Sequence, residues 1–328
     1  MKAYVTGGSG FIGQHVVRKL IARRVQVNAL VRTPSQASAL QALGAVPYIG
    51  DILDEASMVA AMQGVDVVFH IAGWYKIGAK DQRDAYPVNV TGTRIVFQLA
   101  CDLGIPRIIY TSSIGIYGDT HGQIHDESYQ RPAGLPFLTE YDHTKWLAYH
   151  EIVKPFIARG VPISAVIPGV VFGPGDPSLI GDLMRLIVRG RLFILPGPET
   201  MHCYAHVEDV AEGIILAYEK GGIGESYILA GPALELWHAV SLWAALLGKP
   251  APHFSIPSRW LNPLAGLASL VGRLLPMPPL LSADGARLVG ASYIASAEKA
   301  RRELGWQTRP VEIGFHDSLT WFLQHSAT

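Results

Sequence analysis

Short apolar runs alternate with longer runs at helical period through the first half of this chain, and that alternation limits its fold more than any other feature. Residues 3–5, 26–31, 46–49, 66–70 and 107–111 read as strands. Helical runs lie between them, one starting at Phe11 and continuing to Ile21, then 35–43, 55–62 and 88–103. Strand–helix units at this spacing demand a doubly wound parallel sheet with helices on both faces, an α/β fold. Such sheets bind ligands beyond the carboxyl ends of their strands. The residues just after each strand therefore carry the information about function.

The first strand runs into Thr6-Gly7-Gly8-Ser9-Gly10-Phe11-Ile12-Gly13. Gly7 permits a tight turn, and Gly10 lets backbone approach a pyrophosphate without a Cβ in the way. Gly13 allows close packing of the helix that begins at Phe11 and Ile12, whose free N–H groups face the phosphates. Placed after the first strand of an α/β chain, this loop predicts dinucleotide binding. After strand two, the position where an acid would hold a ribose 2′-hydroxyl is Val31, followed by Arg32. A guanidinium pairs with a 2′-phosphate that a carboxylate would repel, so NADP(H) is preferred, with NAD(H) as the alternative. After strand three, Asp51 with Ile52 could meet the adenine amino group, and a turn-capping Asp is the competing reading. After strand four, Ala72 and Gly73 let backbone line the cofactor. His70 reads as a packed strand residue, and Trp74 and Tyr75 fall where a substrate can be reached.

Strand five ends in Thr111-Ser112-Ser113, and a helix is predicted from about 141 to about 158. Tyr141 and Lys145 are four residues apart on it, so both project from one face. Tyrosine ionises near pH 10 and is a poor acid or base at neutrality. A nearby ammonium is expected to favour the phenolate and lower that value. The same lysine can hold ribose hydroxyls, and Ser113 can hydrogen-bond a substrate carbonyl or hydroxyl. These three residues are the catalytic candidates read from spacing and chemistry.

Composition excludes other classes. The chain has 328 residues with 27 basic and 27 acidic side chains, so nothing electrostatic points to nucleic acid or an anionic membrane. Cys101 and Cys203 lie too far apart for a metal motif, and no metal is expected. The apolar run at 263–272 is too short for a membrane span. Met1-Lys2 leads straight into the first strand with no signal peptide, and the expectation is a soluble cytoplasmic protein.

In these motifs the chain resembles the extended short-chain dehydrogenase/reductase family, also called the NAD-dependent epimerase/dehydratase family. The resemblance continues through Asn89-Val90-Thr91-Gly92-Thr93, Pro168-Gly169-Val170-Val171-Phe172-Gly173-Pro174-Gly175, His206-Val207-Glu208-Asp209 and a tail from Ala297 to Trp306. It implies a Rossmann-type sheet over 1–170 and a smaller, interleaved C-terminal substrate lobe over 171–328, with segments near 200–230 returning to the sheet. Within that lobe 180–188, 207–219 and 236–247 read as helices and 225–229 as a strand. The resemblance also implies Asn89 in a structural or proton-relay role, and Pro168, Val170 and Val171 along the nicotinamide. A homodimer through the helices at 88–103 and 141–158 is implied as well.

Three departures narrow the branch. Ser112-Ser113 stands where 4,6-dehydratases carry an acidic pair. His202 stands where nucleotide-sugar enzymes carry a diphosphate-clamping arginine. Ile167-Pro168 replaces the usual Arg-Pro or Asn-Pro. Each charge-assisted hydrogen bond lost with such a clamp is worth roughly 1.5–3 kcal/mol. Apolar residues at 254–281 suggest a lid or a packed helix, and His202 and Tyr204 are further substrate candidates. The chain looks most similar to the dihydroflavonol-reductase-like and 3β-hydroxysteroid-dehydrogenase-like branch. The expected function is interconversion of a carbonyl and a secondary alcohol on a small, apolar or aromatic substrate. A sugar epimerase with tightly bound NAD(P), or a non-catalytic NADP-binding sensor, are the alternatives.

Overall fold

The computed structural model describes residues 1–79, 81–261, 263, 266 and 282–325. Its first half alternates β1 (Lys2–Thr6), α1 (Phe11–Ala22), β2 (Gln26–Val31), α2 (Pro34–Ala42), β3 (Val46–Ile49), α3 (Glu55–Met62) and β4 (Val67–His70). There follow α4 (Gly92–Asp102), β5 (Ile108–Thr111), α5 (Glu140–Leu147), α6 (Lys154–Ala158) and β6 (Ile163–Pro168). The alternation read from sequence is thus present, with boundaries moved by a residue or two. Two helices differ in kind. The run expected at 88–103 opens with a π turn, Pro87–Thr91, before α4 begins. The long helix after Thr139 is α5, a π turn (Ala148–Val153) and α6 in unbroken succession. That second π turn ends just before Pro155, whose missing N–H and ring bulk disturb a regular ladder.

The second half adds β7 (Val170–Phe172), α7 (Leu179–Val188), β8 (Ile194–Pro196), β9 (Met201–His206), α8 (Val207–Glu219), β10 (Ser226–Leu229), β11 (Ala233–Glu235), α9 (Leu236–Leu246) and β12 (Phe254–Ile256). A short helix, Ala283–Val289, and a closing helix, Val311–His325, complete the described chain. Seven strands form one sheet in the order β10-β6-β5-β4-β1-β2-β3, every pair parallel. Strand order reverses direction at β1, which lies between β4 and β2, so the crevice opens beyond the carboxyl ends of β1 and β4. β10 and α8 belong to this sheet layer, α8 lying against α1, β5 and β6. The remaining strands make two small sheets, β11-β9-β7 and β12-β8.

Two hydrophobic cores result. One surrounds the seven-stranded sheet. The other joins α7, α9 and the closing helix around Trp243, Phe172, Tyr204 and Phe315. Trp306 ties the chain's tail to the first core, its Nε1 donating to the Asp209 carbonyl at 2.7 Å. Arg301 and Arg302 pair with acids at the surface, whereas Lys299 reaches Glu225 across the sheet edge. Of the apolar stretch at 254–281, β12 pairs with β8 and most of the rest lies outside the described residues. Among the described residues, no helix is long and apolar enough to cross a membrane.

Candidate active site

Gly7 leaves β1 with φ at +71°, a left-handed conformation that favours glycine, and a Cβ there would lie 2.6 Å from the Ala72 nitrogen. At Gly13 a Cβ would come within 2.0 Å of the Gly7 carbonyl oxygen, so helix α1 can start only where this residue has no side chain. Gly10 is different: apart from that same carbonyl at 3.2 Å, nothing lies within 4 Å of the place its Cβ would take. Gly10 is also the N-cap of α1 and supplies no side-chain cap. Open space beside a glycine turn and an uncapped helix start together fit a pyrophosphate. Gly7, Gly10, Phe11, Ile12, Gly13 and Ala72 all line the large cavity at this end of the sheet, about 470 Å³ in volume.

Beneath the loop runs a polar chain. Thr6 Oγ1 donates to or accepts from His70 Nδ1 at 2.7 Å, and His70 Nε2 meets Thr93 Oγ1 at 2.9 Å. Burial holds His70 down to about 3, so it is a neutral strut between β1 and α4. Thr93 Oγ1 donates on to the Asn89 carbonyl inside the π turn. Asn89 itself does not line the cavity wall. Its amide donates to the Trp74 carbonyl and to Thr144 Oγ1, and its oxygen accepts from the Trp74 N–H at 2.7 Å. Asn89 thereby ties the segment after β4 to helix α5.

Thr139 caps α5 by accepting from the Asp142 N–H, and this fixes the first turn that carries Tyr141. Tyr141, Lys145 and Ser113 share the cavity wall. Lys145 is 4% exposed and donates to the Thr111 carbonyl at 2.7 Å, with its Nζ 4.8 Å from the Tyr110 ring centre. Burial pulls this lysine down to about 7. Burial pushes the Tyr141 phenol up to about 12, while its hydrogen bond with the Ser113 hydroxyl pulls the other way. The lowering expected from Lys145 is therefore absent from the chain by itself. The ammonium is turned to Thr111, and the phenol sits among apolar groups that disfavour its anion.

The other expected site residues divide. Pro168, Val170, Val171, Tyr75 and His202 line the cavity. Tyr75 packs edge-on to Tyr141, with ring centres 4.9 Å apart at 88°. Trp74 is buried and turned away from the cavity wall, its Nε1 without a partner. Tyr204 lies in the second core, its ring edge-on to Phe172 and Phe315. Arg32 is exposed at the carboxyl end of β2, and its guanidinium has no partner among the described residues. Asp51 accepts from the Leu53 N–H, a turn-forming role, and Ile52 packs on Gly92. Neither lines the cavity.

Several wall residues were not expected from sequence. Leu179, Ile180 and Leu183 come from α7, Leu236 from α9, and Leu288 and Val289 from the short helix near the C-terminus. Asp142, Asp176 and Tyr293 add polar groups. Asp176 accepts from the Ser178 N–H and hydroxyl at the start of α7, and burial pushes it up to about 6. No sequence signal marked these positions, since four separate segments bring them together.

A family model described as 3-beta hydroxysteroid dehydrogenase/isomerase matches residues 4–221. Sterol demethylase protein B of Methylococcus capsulatus is 31% identical over 327 residues, which is 98% of this chain and 98% of the relative. A Stigmatella aurantiaca protein, 4-hydroxy-2-methyl-3-oxo-4-farnesyl-3,4-dihydroquinoline-1-oxide ketoreductase, is 32% identical over 315 residues, covering 94% of this chain and 92% of the relative. The crystal structure of gox2253 matches with a TM-score of 0.84 at 30% identity, covering 98% of both chains.

Proposed function

The chain belongs to the 3-beta hydroxysteroid dehydrogenase/isomerase family, within the extended short-chain dehydrogenases/reductases, and on that premise we propose that this NAD(P)-dependent oxidoreductase uses NADP(H) to interconvert a carbonyl and a secondary alcohol on a small, largely apolar or aromatic substrate. The observation that carries the proposal is the meeting of Ser113, Tyr141 and Lys145 on one wall of a cavity whose far side is leucine, isoleucine and valine. A nicotinamide cofactor supplies or accepts the hydride when bound. Ser113 hydrogen-bonds the substrate oxygen, and Tyr141 gives it a proton or takes one. Lys145 holds ribose hydroxyls and, as the ammonium, offsets the burial that disfavours the Tyr141 phenolate. Asn89 holds α5 in register with the segment after β4.

Gly7 to Gly13 would hold the pyrophosphate, Ala72 and Pro168 to Val171 the nicotinamide side, and Asp51 and Ile52 the adenine end. The free Arg32 guanidinium would pair with a 2′-phosphate. Stigmatella's ketoreductase, named for an oxo group on a farnesyl-bearing ring, is consistent with an apolar ketone. A homodimer through the helical runs at 87–102 and 140–158 is part of the proposal too.

The test is cofactor consumption across a panel of apolar ketones and aromatic aldehydes. We expect NADPH to be oxidised in proportion to alcohol formed, with NADH poorer by about 10-fold or more, and Arg32→Ser to erase that preference. Purified protein that retains its cofactor, epimerises sugars and consumes no NADPH would overturn the proposal.

A further inference from the structure

One cavity residue has no part in the chemistry above. Asp142 follows Tyr141 in α5, is 2% exposed, and has no ion-pair partner among the described residues. Its location is set by Gly115. The point where a Gly115 Cβ would stand lies 2.2 Å from Asp142 Oδ1 and 3.4 Å from Ser113 Oγ, so the carboxyl group and the Ser113 hydroxyl are neighbours. Tyr293 donates to Asp142 Oδ2 at 3.5 Å, a long and weak bond. His202 in turn lies parallel to the Tyr293 ring, 6.3 Å between centres and 19° between planes. His202 Nε2 meets Thr200 Oγ1, whereas its Nδ1 is buried with no partner. A buried nitrogen without a hydrogen bond is costly, and a ligand group that meets it removes that cost.

Charge sharpens this picture. Of the described residues that line the cavity, Lys145 is the one with a cationic side chain, and it faces Thr111. Burial keeps His202 neutral, down to about 4. Burial pushes Asp142 up to about 7 and Asp176 up to about 6, so above neutrality both are anionic, and a substrate carboxylate beside Ser113 would meet them with no cation turned toward it. A hydroxyl group would find acceptors and a donor in reach.

We propose that Asp142, Tyr293 and His202 form a hydroxyl-binding subsite beside the reacting oxygen, selecting uncharged ketones that carry a hydroxyl next to the carbonyl and rejecting anionic ones. The proposal rests on the oxidoreductase assignment for the location of the reacting oxygen. A site built to hydrogen-bond a substrate hydroxyl discriminates strongly against the analogue that lacks it, because its own polar groups are then left unpaired.

Three ketones of one shape test the subsite: acetophenone, 2-hydroxyacetophenone and benzoylformate. The readout is the ratio of kcat/KM values within each enzyme. Wild type should favour 2-hydroxyacetophenone over acetophenone by about 10-fold or more, and benzoylformate should be the poorest. Assayed at pH 8, above the value near 7 to which burial raises Asp142, Asp142→Asn keeps the shape and removes the charge, so it should raise benzoylformate relative to acetophenone by about 10-fold and shrink the hydroxyl preference. Calorimetry on the NADP⁺-loaded enzyme with 1-phenyl-1,2-ethanediol, 1-phenylethanol and mandelate reads the same ratios without turnover. Diol preference that depends on Asp142, with no ketone reduced, would uphold the subsite and sink the reaction. No diol preference, no binding of any of the three, or ratios that Asp142→Asn leaves unchanged would overturn the subsite, and continued ketone reduction would leave the reaction standing.

Discussion

Burial works against both ionisations that the proposed proton transfer requires. Lys145 is drawn down to about 7 and Tyr141 up to about 12, each mainly by loss of water. Unfolded, the lysine ionises near 10.5. Between about pH 7 and pH 10.5 the folded chain therefore binds fewer protons than the unfolded one, and stability rises with pH through that window. Lys145→Met should remove this rise, leave the melting temperature of the cofactor-free protein at pH 7 unchanged or higher, and lower kcat by about 100-fold or more. Thermal melts at several pH values check it. An unchanged pH slope in the variant would mean that burial does not neutralise this lysine. The Tyr141–Lys145 spacing was legible because four residues on a helix always share a face. The direction of the phenol's shift was not, because it depends on where the ammonium points, and Thr111 decides that.

Local rules were strongest where an element is short and its neighbours in sequence are its neighbours in space. The glycine loop is such a case, and so are the strands around it. Gly13→Ala would place a methyl 2.0 Å from a backbone oxygen, which a flexible side chain cannot relieve. The loop must open, so NADPH affinity should fall by about 10-fold or more while the circular dichroism spectrum stays that of the wild type. Affinity within twofold would show that the turn tolerates a Cβ. Strands of three residues, such as β7, β8, β11 and β12, left no periodic trace in sequence. The fate of β9 shows the consequence. Period two places His202 and Tyr204 on one face of the strand. His202 lines the cavity, while Tyr204 is covered by Phe172 and by Phe315 of the closing helix. No periodicity argument marked that helix, so the sequence offered no ground for separating the two residues. The π turns at 87–91 and 148–153 were likewise read as plain helix, since a single wide turn leaves apolar spacing almost unchanged.

At the scale of the whole molecule, the cavity lies between two cores that the chain crosses repeatedly. The ends of β1 and β5 and the start of α5 supply the glycine turn, Ser113, Tyr141 and Lys145, with Tyr141 packed against the second core; α7, α9 and the short helix at 283–289 supply apolar residues. The motif-bearing half was readable from strand ends alone. The far wall was not, because Leu179, Leu236 and Leu288 look like any amphipathic leucines until the fold gathers them. A cavity with one lysine among its described residues suits the uncharged, mostly apolar substrate proposed above. Everything proposed for catalysis turns on the Tyr141 hydroxyl. The most direct measurement is NADPH-dependent reduction of a ketone the wild type accepts, repeated with Tyr141→Phe alongside direct titration of NADPH. Loss of about 100-fold or more in kcat with NADPH affinity within a few-fold is the predicted result. A kcat within a few-fold of wild type would contradict it.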